Sequence, residues 1–334
     1  MIRLDGLEPE NPLAFLALLG LLRALEAGAG ADAALPRVVW DVARPPLRPA
    51  VLLGRAATAP EVAERAAAGL AALAPAYAFD GRPKLDYPRP EARGLLENAA
   101  LASGPRERGR ADLLAALMSD AVGEEDGGAG PGAVGPSPLC LLKGQGHQCF
   151  LETLAAVATR AAPATGGRRA ARAAPSATAC LDAALFRPWR RQDPARQATF
   201  RWDPADAARQ AYLAGDPTDP KYQQGTEFGA NRLAAAGLAT LTVVPQRHRD
   251  RLVPCIPGGA WEDGFSFAWP IWTEPATLPA ILALLNHPQL RVPGALAHLG
   301  VAHVFCAKRI SVLRFLNLTP GRVLTGQGSA APGA

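Results

Sequence analysis

The stretch that decides the fold is Asn11–Ala27, NPLAFLALLGLLRALEA. The Asn11 side chain can accept a bond from an unpaired N–H of the first turn. Pro12 gives up only an N–H that would have no helical partner anyway, so a helix is expected from Pro12 to about Ala27. Its apolar residues fall on nearly every side instead of forming one stripe, and a helix apolar all round belongs inside a protein. The unbroken run Leu13–Leu22 stops at Arg23, short of the roughly 20 apolar residues a membrane span requires. The residues before it carry Asp5, Glu8 and Glu10 against Arg3 alone, the opposite of the basic stretch that opens a secretory signal. A buried hub helix in a cytoplasmic protein, with no membrane partner, is the expectation.

Working outward from that hub, helices are predicted over Pro60–Leu73, Glu91–Leu101, Ala111–Val122, Gln148–Thr159, Glu227–Ala236 and Pro279–Leu285. Strands are predicted at Val38–Val42, Leu139–Leu142, Thr240–Val244, Phe265–Trp269 and along Val301–Val312. Helices and strands do not alternate regularly and no solenoid repeat is present, so the class is α+β with short, mainly antiparallel strands. The 334 residues include 33 Gly and 32 Pro, a loop-rich composition, while 49% apolar against 19% charged residues excludes wholesale disorder. Five scattered cysteines with no CxxC fit free thiols in a reducing compartment.

Charge divides the chain. Residues 1–138 hold 14 Arg/Lys and 18 Asp/Glu, whereas residues 139–334 hold 21 and 12. Between them Gly123–Pro138, GEEDGGAGPGAVGPSP, lacks apolar periodicity and reads as a flexible linker or loop. The expected organisation is an acidic, mostly helical region over 1–122, the linker over 123–138, a basic α+β region over 139–324 and a disordered tail over 325–334. Only four of the 35 basic residues are Lys, so arginine informs on function only where it clusters.

Three segments carry motif-like chemistry. Leu139–Leu151, LCLLKGQGHQCFL, reads as a strand, a glycine-containing loop and a helix. Backbone N–H groups at Gly144 and Gly146 could meet an anion at the helix start, with Lys143 and His147 as side-chain donors. The segment lacks a full phosphate-binding fingerprint, and a tight strand-to-helix turn is the plain alternative. Arg160–Trp202 holds nine arginines against Asp182 and Asp193, interleaved with Phe186, Trp189, Phe200 and Trp202. Arginines such as Arg168, Arg169, Arg172, Arg190 and Arg191 suit phosphates, and an aromatic such as Trp189 offers a stacking face. The alternatives are a solvated basic surface with the aromatics turned inward, or an acidic protein partner. In Val301–Val312, VAHVFCAKRISV, Lys308 and Arg309 are candidate groove cations or the polar face of a half-exposed strand.

No catalytic constellation is visible. Cys140, His147 and Cys149 lack the paired spacing of a zinc site, and His298 and His303 fit no zinc helix. There is no GxSxG. Asp203 and Asp206 follow a Trp-Asp-Pro turn and read as helix caps. No catalytic residue, metal or cofactor is expected.

Leu7–Leu25, LEPENPLAFLALLGLLRAL, together with Gly144–Leu151, Phe200–Leu213 and Gly229–Leu233 (GANRL), resembles proteins of type I-G (formerly I-U) CRISPR–Cas systems, the large-subunit family and its smaller accessory relatives. The resemblance implies a subunit or accessory protein of an RNA-guided surveillance complex. Its partners would be other effector subunits, guide RNA or target DNA, and the separate helicase-nuclease that cuts. It carries over no catalytic residue. Two further readings stay open: an enzyme of a prokaryotic defence pathway holding a phosphate or nucleotide in the Gly144–His147 loop, and a protein-interaction adaptor.

Overall fold

A computed structural model describes residues 1–29, 34–102, 104, 108–123, 132–142, 149–159, 175–193, 199–206, 225–312 and 315–325. In chain order the elements begin with β1 (Ile2–Arg3), α1 (Pro12–Ala27), β2 (Arg37–Trp40), β3 (Pro49–Leu52), α2 (Ala59–Leu73), α3 (Arg89–Leu101) and α4 (Arg108–Leu117). They continue with β4 (Met118–Gly123), β5 (Val134–Pro136), α5 (Phe150–Thr159), α6 (Ala177–Phe186) and α7 (Phe228–Leu238). The last are β6 (Val244–His248), β7 (Arg251–Cys255), β8 (Gly259–Trp261), β9 (Phe265–Trp272), α8 (Leu278–Leu285), β10 (Val301–Val312), β11 (Phe315–Leu318) and β12 (Arg322–Val323). The class is α+β, with small antiparallel sheets.

Helix α1 is the hub. Asn11 caps it by accepting the Leu13 N–H at 2.9 Å, Pro12 opens it, and only Arg23, Glu26 and Ala27 escape full burial. Each Leu or Phe buried there contributes about 1.5–3 kcal/mol of transfer free energy. Helix α7, buried along its whole length, crosses α1 at a contact that only glycine permits. A Cβ on Gly20 would lie 1.7 Å from the Leu233 carbonyl oxygen, and one on Gly237 would lie 2.1 Å from that of Leu16.

The sheet in the order β11-β10-β9-β8, with β12 on β10, covers another side of the hub. Strand β9 is buried throughout. Phe15 stacks on Trp269 at 5.7 Å between centroids, and the Trp269 indole donates to the Pro9 carbonyl at 2.9 Å. Trp272 donates in the same way to Val38 at 2.7 Å, tying this sheet to the small sheet β1-β3-β2.

Several expectations change. One apolar core runs from Leu4 to Leu318 and includes residues from both charge halves, so the change of charge at residue 138 does not coincide with a break in packing. Part of the segment expected as a linker, Gly123–Pro138, belongs to the packed fold. Residues 133–138 are buried, and Val134–Pro136 is a strand whose Val134 N–H donates to Tyr87 at 2.9 Å. Residues 124–131 and the tail from 326 lie outside the described residues. The helix expected over Ala111–Val122 ends at Leu117, because Met118–Gly123 pairs with β5. Leu139–Leu142 is a buried turn and not a strand. Its carbonyls at Leu139 and Leu141 accept from the Trp202 indole and Arg201 guanidinium, donors no neighbouring strand supplies. The strand expected at Thr240–Val244 starts only at Val244 and continues into a hairpin with β7.

Candidate nucleic-acid interface

The loop after α6 carries three of the predicted contact residues, and the fold separates their roles. The Trp189 indole donates to the Ala184 carbonyl at 2.9 Å, and its ring is half-buried against the core. Arg190 is exposed, and among the described residues its guanidinium has no hydrogen-bond or ion-pair partner. Arg191 adopts φ of 49° and turns inward, its Nε 2.7 Å from Oδ2 of the buried Asp203. The backbone N–H groups of Arg190 and Arg191 both donate to Glu227 Oε2, at 3.2 and 3.1 Å. Arg191 is therefore held within the fold, while Arg190 projects from it.

Beside this loop, a cavity of about 210 Å³ is lined by Cys180, Arg187, Arg190, Asp193 and Glu227 among others. Burial holds the Asp193 and Glu227 carboxyls above their usual range. Arg187 pairs with Asp182 at 2.9 Å. Burial also pushes the Cys180 and Cys140 thiols up to about 12, so both are protonated at neutral pH and neither is a nucleophile.

Lys308 and Arg309 are adjacent on β10 but face opposite ways, because strand side chains alternate. Lys308 lies in register with Ser266, which pairs with Ala260, and it is exposed. Arg309 falls on the other face, with its guanidinium 4.8 Å from the Trp261 ring centroid and 5.6 Å from that of Phe265. It donates to Pro138 at 3.3 Å, and burial lowers its pKa. Lys308 is available to a ligand, whereas Arg309 serves as packing.

The interleaved aromatics mostly turn inward. Phe200 and Trp202 are fully buried and stack at 4.4 Å. Arg201, between them at φ 64°, is buried with its guanidinium 4.6 Å from the Phe315 ring. Asp203 Oδ1 accepts the Ala205 N–H at 3.1 Å, a local cap of the kind expected. Lys143, Gly144, Gly146, His147, Arg168, Arg169 and Arg172 lie outside the described residues. Among the described residues no group of three or more His, Cys, Asp or Glu side chains could hold a metal, and no helix is long and apolar enough to cross a membrane.

A basic element went unread in the sequence. Strands β6 and β7 form a hairpin in the register Arg247↔Leu252 and His248↔Arg251, with Arg249 and Asp250 as the turn. Arg247, Arg249 and Arg251 are exposed. The signal was the alternation in Arg247–Arg251, RHRDR, followed by the apolar pair Leu252 and Val253.

Both halves hold paired and unpaired cations. In the first, Arg3, Arg23, Arg48, Arg55, Arg82, Arg93 and Arg108 form ion pairs with Asp or Glu, while among the described residues Arg37, Arg44 and Lys84 are exposed without one. In the second, Arg187 and Arg191 form ion pairs, while among the described residues Arg190, Arg247, Arg249, Lys308 and Arg322 are exposed without a side-chain partner. Comparison with protein-family models, curated proteins and solved structures finds no match.

Proposed function

We propose that this chain is a non-catalytic subunit or accessory protein of a type I-G CRISPR RNA-guided DNA surveillance complex, working in the cytoplasm. It contacts guide RNA or target DNA through its basic second half and works beside other effector subunits and the helicase-nuclease. The observation that carries this reading is the excess of positive charge in the second half, part of it exposed and unpaired. Residues 139–334 hold 21 Arg/Lys against 12 Asp/Glu, and among the described residues Arg190 and Lys308 there face solvent with no counter-charge. Unpaired surface cations are what a phosphate backbone engages, and in RNA-guided complexes the protein holds the backbone while base pairing reads the sequence. The resemblance of Leu7–Leu25 and the associated segments supplies the particular system.

The test is a salt series with labelled single-stranded RNA and DNA. Affinity should fall linearly on a log–log plot against salt, and Arg190→Ala and Lys308→Ala should each reduce the slope by about 0.7. The purified chain should neither cleave the oligonucleotides nor hydrolyse nucleoside triphosphates. Absence of binding at low salt, or binding indifferent to salt, would sink the reading.

A further inference from the structure

The turn of the β6–β7 hairpin places an arginine where the backbone disfavours one. A two-residue hairpin turn needing positive φ usually takes Gly, Asn or Asp, yet Arg249 sits there at φ 55°. Two other arginines share that conformation, and both have internal partners: Arg191 binds Asp203, and Arg201 binds the Leu141 carbonyl and the Phe315 ring. Arg249 has none; its guanidinium stands in solvent. No contact among the described residues accounts for the residue type at this position.

The hairpin is anchored as well as charged. The Trp261 indole donates to the Pro254 carbonyl at 2.8 Å, and the His248 ring lies 6.3 Å from that of Trp261, whose face carries Arg309. On the inward face, Val253 and Cys255 are buried and Gln246 and His248 partly so. The opposite face presents Arg247 beside Leu252, both exposed. Arg247 near the end of β6 and Arg249 in the turn are two residues apart, so their Cα atoms are separated by no more than about 7 Å, and two long side chains that close can reach neighbouring phosphates of one nucleic-acid strand. Asp250 is the one acid in the tip, against Arg247, Arg249 and Arg251.

We propose that the β6–β7 hairpin is a phosphate-backbone contact in which Arg247 and Arg249 engage successive phosphates of a nucleic-acid strand. The proposal rests on the nucleic-acid reading above and adds to it a site outside the motif-bearing segments. Arg249→Asn removes the charge and supplies a residue that tolerates positive φ, so it separates binding from folding: the melting temperature should hold or rise while binding weakens. In a salt series with a labelled single-stranded oligonucleotide, the double variant Arg247→Gln/Arg249→Asn should lower the log–log slope by about 1.4, the yield of two phosphate contacts on a single strand. Arg37→Gln, which removes an exposed charge from β2, should leave the slope unchanged. Salt-dependent binding by the wild-type chain with an unaltered slope in the double variant would overturn the hairpin site and leave the general reading standing. An equal fall in Arg37→Gln would assign the effect to net charge and overturn it too. No binding by the wild-type chain would remove both.

Discussion

Asp203 meets Arg191 at two points, Oδ2 to Nε at 2.7 Å and Oδ1 to Nη2 at 3.3 Å, and the same Oδ1 accepts from the cap residue Asn11 at 3.1 Å. One buried carboxylate thus ties the loop after α6 to the start of the hub helix. Burial alone would discourage the Arg191 charge, but the Asp203 bond and charge prevail and hold its pKa above the usual value. Removing one member of a buried pair strands the other, so Asp203→Asn should cost about 3 kcal/mol in urea denaturation. It should leave the salt slope for oligonucleotide binding unchanged. A lowered slope would show that Arg191 reaches a phosphate after all.

The α1–α7 crossing predicts a sharp asymmetry among glycines. Gly20→Ala would drive a Cβ into the Leu233 carbonyl and should cost about 3 kcal/mol or prevent folding. Gly94 lies within α3 with nothing within 4 Å of a built Cβ, so Gly94→Ala should raise stability by about 0.5–1 kcal/mol. Thermal unfolding of the two variants checks both signs.

Arg232 is 7% exposed, and its Nε and Nη1 have no partner among the described residues. Burial lowers its pKa, and the nearby Cys180 counters only in part. An unpaired buried charge opposes folding, so Arg232→Met should stabilise the chain by about 1 kcal/mol or more. A loss of stability on urea denaturation would mean that the guanidinium is satisfied in solution.

Glu227 and Asp193 titrate above their usual values of 4.5 and 3.8 because burial disfavours the carboxylates, an effect partly offset by backbone N–H bonds from Arg191, Arg190 and Phe228. Each holds its proton more tightly in the folded state than in the unfolded one. As pH rises from the usual values through the raised ones, the unfolded chain releases protons first, so stability falls across that window and is level above it. Glu227→Gln keeps an acceptor oxygen and removes one titration. Denaturation midpoints measured from about pH 4 to pH 7 should therefore decline less in Glu227→Gln than in wild type. Equal declines would show that Glu227 is not the group responsible.

The hub helix could be read from residues that act within one turn. Asn11 and Pro12 set its start by local hydrogen bonding and a preset φ, and its apolar surface required burial whatever surrounded it. The free cysteines and the α+β class were legible for the same reason, since capping, periodicity and composition are properties of short stretches. Which cations face solvent was decided only by tertiary structure. Arg190 and Arg191 differ by one position, yet Asp203 claims one and leaves the other free. Lys308 and Arg309 part because strand pairing puts Trp261 and Phe265 beneath just one of them. Leu139–Leu142 has the composition of a strand, but Trp202 and Arg201 supply its carbonyls with donors from some 60 residues away. Such partners lie far off along the chain, and no local pattern in the sequence records which one a residue will find.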